Sequence, residues 1–479
     1  MATSLAEQLK RLTVPQTSLL KQDNKKPSLL FDKKQAAEIS REAFYQIGLD
    51  GFEELKLKYS LFAPFENTLF HATSKEFERS VQDRAANERL DKQIRKFFLL
   101  LSPYLSFTCA HKALEWLINR YNIQEYNRND FLMLILPYHE TNIFVRALQL
   151  VKINETSDSF AWLKNIQKSG VHLSKSLLYE FAATSPQFLK DIGEFTLQAL
   201  KEHDQAHKAS VVINFCCMTI TGAIEYASKV QETHITEILR VLLKGQKSSI
   251  TDFCAGSYII SGKLLSKTEL SEKVLNKFVD NISTIPADHL KTEAVLLLVI
   301  LYQTQVHFSG MSELAVRNLA NKPYVSKILR QLSSENHFVE PLIMLLLKRS
   351  VQCCLIEMEC NELHKFVLTL LNDIQLENAS VSELISITLE TYGKNRKNIS
   401  GNIQIFNWVT TIISTIETQY PEVFDNEVSR IMRSESGKQT TKVQKHLQKL
   451  IVNSKNKLEI DLFEKLYHPL CEIRKETIK

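Results

Sequence analysis

The sequence predicts an all-α chain, a solenoid of stacked antiparallel helix pairs. Three observations lead there. Apolar residues recur at the 3.6-residue helical period along most of the chain, and strand-like alternation is missing. Gly and Pro are scarce, 12 and 11 in 479 residues, which favours long helices over a turn-rich β architecture. The helical stripes also return at two per about 40 residues, the spacing of helical-repeat arrays. A chain of this length is too long for one compact core and suits either about two to four globular domains or one continuous array.

The most informative stretch is Leu99–Lys152. Breaks at Ser102-Pro103, Asn127–Asn129 and Pro137-Tyr138 give three helices. In the last, Ile143, Phe144, Ala147, Leu148 and Val151 form one apolar stripe. Before it, Cys109, Ala113, Leu114, Trp116, Leu117, Ile118 and Tyr121 make a wider stripe, with Trp116 expected in the core. His111, Lys112, Glu115 and Asn119 fall together in the remaining polar arc. A helix that is apolar over most of its circumference is covered on more than one side, as in stacked layers.

Taken in order, Ala2–Leu12 reads as a short amphipathic helix and Thr13–Lys34 as a polar tether lying over the first repeats. Lys33–Phe62 predicts two short helices around Gly48 and Gly51. Pro64–Phe98 predicts a longer helical stretch whose charged middle, DRAANERLDKQIRK, is a solvated face. Further helices start near Phe160, Ser174, Pro186 and His207. Ile235, Ile238, Leu239 and Leu242 form a stripe ending at Gly245. Ile250, Phe253, Cys254, Leu264 and Leu265 mark the next helix, and Val274, Leu275, Phe278 and Ile282 another, N-capped by the Ser271 hydroxyl. Pro286 is placed in the first turn of a helix running through Ala294–Gln303. Leu314–Leu332 gives two short helices around Pro323. Pro341–Cys354, Leu363–Ile374, Val381–Tyr392, Ile403–Ile416 and Pro421–Arg433 continue the pattern, with GKNRKNISG at Gly393–Gly401 as an exposed loop.

Composition narrows the class. The net charge is +5, modest for this size. None of the 8 cysteines sits in a CxxC, and most lie in apolar helical runs, which predicts a reducing compartment. The N-terminus carries Glu7 and lacks the apolar core of a signal peptide. The longest apolar run, Ala294–Tyr302, is about half the roughly 18 residues of a membrane span, so no membrane partner is expected.

Motifs for catalysis are missing. There is no GxxxxGK[ST], GxGxxG, HExxH or GxSxG, so neither an enzyme, a cofactor, nor a small-molecule substrate is expected. Cys353, Cys354, Cys360 and His364 read as packing cysteines beside a surface histidine rather than a zinc site, which would want two ligand pairs. Three residues around the third break are candidates for interaction: His139, Glu140 and Arg146. Pro137 stops one helix, and Glu140 or Thr141 starts the next, where a carboxylate suits the helix dipole; a partner-binding role is the alternative. Arg146 lies on the polar side of that next helix.

The basic C-terminal segment offers a second candidate. Arg433–Lys479 holds 11 Lys+Arg against 6 Asp+Glu. Lys438, Lys442, Lys445 and Lys449 lie on one helix face, opposite Val443, Leu447, Leu450 and Ile451. Such a stripe can track phosphates, and without aromatic residues for stacking it would not read sequence. The alternative is a solvated outer face.

Several phrases resemble one known family. LSPYL, ALEWLINRY, LPYHETNIFVRALQLVKI and the later Ser169-Gly170, together with SLAEQLKRL, SLLFD at Ser28–Asp32 and FERSVQ at Phe77–Gln82, look like the N-terminal region of HEAT repeat-containing protein one, called U-three small nucleolar RNA-associated protein ten in fungi. The resemblance runs from the first residues to at least Gln303, and PYHET followed by IFVR is its most specific part. It implies a HEAT-type α-solenoid acting as a non-enzymatic scaffold of the small-subunit processome, in its early, transcription-linked group. It also implies a nucleolar location and a role in 18S ribosomal RNA maturation. The implied partners are other processome proteins, many of them propellers, and the U-three small nucleolar ribonucleoprotein with its pre-rRNA. Members are several times longer and end in a separate C-terminal domain that finds no match here, so a truncated product or a fragment is expected. The expected divisions are a tether with short helices over 1–85, helical repeats over 86–230, repeats resembling the family's central N-terminal domain over 231–355, and further repeats with a basic end over 356–479. A transport solenoid of importin-like type is the alternative function; it would favour an acidic inner face, whereas this chain is slightly basic.

Overall fold

A computed structural model describes residues 26–153, 159–203, 209–356, 361–394 and 403–433. The expected Ala2–Leu12 helix, most of the Gly393–Gly401 loop and the basic C-terminal stripe lie outside these residues. Among the described residues every regular element is a helix, and the fold is an all-α solenoid. The chain divides into two compact units, Met1–Leu242 and Leu243–Lys479.

The first unit begins with α1 (Lys33–Glu38) and α2 (Arg41–Lys58). Asp32 caps α1 in a reciprocal capping box with Gln35, and the Ser40 hydroxyl accepts the Ala43 N–H at the start of α2. Two short helices around Gly48 and Gly51 were expected; instead α2 runs through both. The glycines are not breakers here but contact points. A Cβ on Gly48 would sit 2.3 Å from the Trp116 Cβ, and one on Gly51 would sit 2.6 Å from the Cys109 carbonyl oxygen. They let α2 lie directly on α4 (Thr108–Tyr121), backbone against backbone.

Between them, 3-10 turns at Ser60–Phe65 and Ala72–Glu76 replace the longer helix expected from Pro64, and α3 (Arg84–Leu101) starts only where Asp83 caps the Ala86 N–H. The turns supply rings to the core: Phe62, Phe65 and Phe70 surround Phe97 with centroids 5.1–5.6 Å away. Much of the charged middle of α3 is exposed as expected, though Arg95 is only half-exposed and pairs with Asp130 at 2.5 Å. Trp116 is buried as expected, edge-on to Tyr45, and its Nε1–H donates to the Leu69 carbonyl.

Next come α5 (Ile123–Tyr126), entered through Asn122 in the left-handed region, α6 (Arg128–Ile135), α7 (Asn142–Leu150) and α8 (Lys164–Ser169). Then follow α9 (Lys175–Thr184), α10 (Pro186–Glu202) and α11 (Ser210–Tyr226), with Pro186 at the first turn of α10 behind the Ser185 cap. In this unit α9 packs on α11, and α10 on both α3 and α11. The helix α12 (Glu232–Gly245) runs over the division between the units.

The second unit shows the repeat plainly. Its helices are α13 (Thr251–Lys267), α14 (Glu272–Ser283), α15 (Lys291–Thr304), α16 (Glu313–Ala320), α17 (Tyr324–Ser334), α18 (Glu340–Ile356), α19 (Asn361–Asp373), α20 (Asn378–Lys394), α21 (Ile403–Gln419) and α22 (Pro421–Arg433). They form two layers. In one, α13, α15, α18, α20 and α22 stack side by side; in the other, α14, the pair α16–α17, α19 and α21 do. Successive members of a layer start about 40–50 residues apart, the period of HEAT-type pairs. The split of one position into α16 and α17 is the break expected at Pro323. Two expectations fail here. Ser271 occupies the N-cap of α14, but its hydroxyl makes no capping bond. Pro286 precedes a 3-10 turn at Asp288–Leu290, and the helix opens at Lys291.

The α2–α4 crossing gives a test with a definite sign. In an open helix Gly→Ala stabilises by about 1 kcal/mol. Gly48→Ala should instead destabilise the chain by about 1–3 kcal/mol through overpacking against Trp116, and Trp116→Ala by about 3–5 kcal/mol. Denaturant unfolding measures both; a stabilised Gly48→Ala chain would refute the close crossing.

Candidate interaction surface

His139 and Glu140 stand where the sequence placed them, at a turn between helices, but they do different things. Leu136–Tyr138 is a 3-10 turn, and α7 follows from Thr141. The Thr141 hydroxyl donates back to the Tyr138 carbonyl at 2.6 Å rather than capping α7. His139 is buried. Its Nδ1 lies 2.8 Å from the Leu173 carbonyl oxygen, which can only accept, so Nδ1 carries the proton. The Leu173 N–H donates to the His139 carbonyl at 3.2 Å, closing a two-bond clasp on the chain just before α9. The neighbouring Tyr138 hydroxyl donates to the Ser102 carbonyl at 2.8 Å and accepts the Leu105 N–H at 3.2 Å. LPYHE thus ties LSPYL on one side to the entry of α9 on the other.

Glu140 is exposed and pairs with Lys175 at 3.4 Å. Arg146 is exposed on α7, and among the described residues no hydrogen bond or ion pair joins it to His139 or Glu140. The three candidates therefore do not converge. Lys438, Lys442, Lys445 and Lys449 lie outside the described residues. His364, half-buried rather than on the surface, stacks on Trp408 at 4.3 Å. Burial in that contact lowers its pKa.

Two features escaped the sequence. The first is Glu115, expected in the polar arc of its helix and found fully buried. Its Oε2 accepts the Leu29 and Leu30 N–H groups at 2.8 and 3.1 Å, and its Oε1 the Asn119 amide at 3.0 Å. Burial raises its pKa, against the opposing pull of the Ser28 hydroxyl and these amides. Its place between Leu114 and Trp116 was the available signal: a carboxylate flanked by core residues on a helix expected to be covered on more than one side.

The second feature is a run of partly exposed apolar residues along one layer of the second unit. In the other layer, that of α14, α16, α17 and α19, Glu272, Lys273, Lys277, Lys327, Arg330 and Lys365 are all exposed, and so is one large apolar residue, Leu314 of α16. The outward stripes of α13, α15 and α18 carry Ala255 and Ile259, then Leu296 and Ile300, then Pro341 and Leu345, with exposed Asp252 and Lys263 at the two ends of the first and Glu293 at the start of the second. Ile259 is 56% exposed and the other apolar residues of the stripes are half-buried. Lys348, one turn after Leu345 on α18, is paired with Glu383. A run of partly exposed apolar side chains across three neighbouring helices is the kind of surface that proteins cover with partners. Among the described residues no helix is long and apolar enough to cross a membrane, and no cluster of His, Cys, Asp and Glu could hold a metal ion.

Helix pairs stacked at this period define a HEAT-type α-solenoid, and comparison with known proteins gives the family. Residues 234–350, the helices α12 to α18, match the family described as U3 small nucleolar RNA-associated protein 10. The chain is 33% identical over 510 aligned residues to the HEAT repeat-containing protein 1 homolog of Drosophila melanogaster, covering 100% of this chain and 24% of the relative. It is 32% identical to HEAT repeat-containing protein 1 of Homo sapiens, over 88% of this chain and 20% of the relative. It is 28% identical to U3 small nucleolar RNA-associated protein 10 of Aspergillus niger, over 63% of this chain and 18% of the relative. The chain belongs to this family and spans a quarter or less of the length of these curated relatives.

The contrast between His139 and Glu140 can be measured. His139→Ala leaves the Leu173 carbonyl without its donor and should cost about 1–3 kcal/mol, with faster amide exchange across α9. Glu140→Gln loses one exposed pair and should change stability by less than about 1 kcal/mol. Equal effects of the two substitutions would contradict the clasp.

Proposed function

We propose that this chain is a non-enzymatic scaffold in ribosome biogenesis, acting within the small-subunit processome. The observation that carries the reading is the alignment of its entire length with a HEAT repeat-containing protein 1 homolog, joined to matches with proteins named for association with the U3 small nucleolar RNA. The geometry suits the role. A solenoid exposes a long surface on regularly spaced helices, so several partners can be held at fixed separations without a pocket. The apolar stripes of α13, α15 and α18 lie inside the family-matched residues and supply a surface for a protein partner.

In this reading the chain works in the nucleolus, in the early group of processome proteins tied to ribosomal DNA transcription, and supports pre-rRNA processing towards 18S rRNA. Its direct partners are other processome proteins, propellers among them. Contact with the U3 ribonucleoprotein and pre-rRNA runs through those partners.

Tagged chain recovered from nuclear extract should bring down nucleolar processome proteins. Ile259→Glu, at an exposed position, should leave the unfolding temperature unchanged and reduce that recovery about tenfold, equivalent to about 1.4 kcal/mol. Recovery of transport factors in place of processome proteins would refute the assignment, and full recovery with Ile259→Glu would refute the apolar face as the contact.

A further inference from the structure

The contact between Glu115 and residues Lys26–Asp32 has the form of a peptide in its binding site. Of these seven residues only Leu29 is fully buried; the others are half-buried or exposed. The Phe31 N–H donates to the Ser28 hydroxyl oxygen at 2.9 Å, which bends the segment. The bend presents the Leu29 and Leu30 N–H groups in succession, a concavity of backbone donors that takes an anion. Here the anion is the Glu115 carboxylate, held ready on α4 by Asn119. Lys26 anchors one end, with its Nζ donating to the Ile39 carbonyl at 2.6 Å and lying 5.7 Å from the Phe44 ring centroid. Phe31 meets the same ring edge-on at 6.4 Å.

We propose that the groove between Phe44 and Glu115 is a linear-peptide site, filled in the resting chain by its own residues Lys26–Asp32. Its ligand class is a bent peptide in which a hydroxyl residue is followed by two apolar residues whose N–H groups reach one buried carboxylate. Specificity comes from the geometry: the carboxylate reads two backbone donors, and the pocket accepts one aliphatic side chain at the position of Leu29. Because the segment is covalently attached, its effective concentration far exceeds that of a free peptide, roughly in the millimolar range. A peptide in trans enters only when the cis segment is displaced.

The test uses the full chain and a labelled peptide of sequence KPSLLFD with blocked ends. The peptide should bind the Leu29→Asp chain saturably, bind the unaltered chain at least about tenfold more weakly, and not bind the Leu29→Asp/Glu115→Ala chain. Equal binding to all three chains, or none to a folded Leu29→Asp chain, overturns the proposal. Amide exchange in the unaltered chain gives a second reading that needs no variant. A docked peptide opens by itself, so the Leu29 and Leu30 amides should exchange at least about tenfold faster than the interior amides of α4. Exchange of both groups at one common rate would show an inseparable part of the core and overturn the proposal.

Discussion

A helix packed between two neighbours has its ends inside the stack, and those ends carry backbone groups that water cannot reach. This constraint shapes the second unit. The solution is to cap one helix end with a polar side chain from about one repeat later. The Asn281 amide donates to the Leu243 carbonyl at 3.4 Å and to the Gln246 side chain at 3.1 Å. Buried Gln305 donates to the Leu265 and Thr268 carbonyls at 3.0 and 2.9 Å and accepts the Leu270 N–H at 3.0 Å, closing the end of α13. Lys322 donates to the Ser283 and Thr284 carbonyls, both at 2.7 Å, at the end of α14, where Thr284 is open to solvent. Further along, the Tyr420 hydroxyl accepts the Leu376 N–H at 2.8 Å. Such a bond is worth only about 1 kcal/mol net, but an uncapped buried end would cost more. The caps therefore do more to set the register of the stack than to add to its stability.

The same requirement explains the most specific phrases of the first unit. Tyr138 and His139 satisfy backbone groups at Ser102, Leu105 and Leu173, all on other turns. A tract that resembles a known family invites a functional reading, yet its two inward residues are cross-braces. What remains open to a partner is Glu140, paired with Lys175, and the exposed Arg146.

How much was legible follows from which forces act locally. Helices of the second unit were read nearly to their ends, because an apolar stripe at the helical period reports the covered face directly, and Pro323 marked the one split position. The errors at Gly48, Gly51 and Glu115 concern choices made by distant residues. Gly48 and Gly51 look like breakers until α4 is laid against them. Glu115 reads as part of a polar arc until Leu29 and Leu30 are brought to it from 86 and 85 residues away. Pro286 has a sequence suited to a first turn, but a 3-10 turn intervenes before Lys291. The apolar face of α13, α15 and α18 was hidden because no single helix shows it; the three helices become neighbours only through the layer.

The proposed partner surface is the run of apolar residues on α13, α15 and α18. Site-specific photocrosslinking of the chain within its native assembly tests this directly, with the reactive group placed at Ile259 or at Lys277, an exposed residue of the other layer. The account predicts crosslinks to partner proteins from position 259 and few from position 277. Crosslinks concentrated at 277, with position 259 reacting only with water, would contradict it.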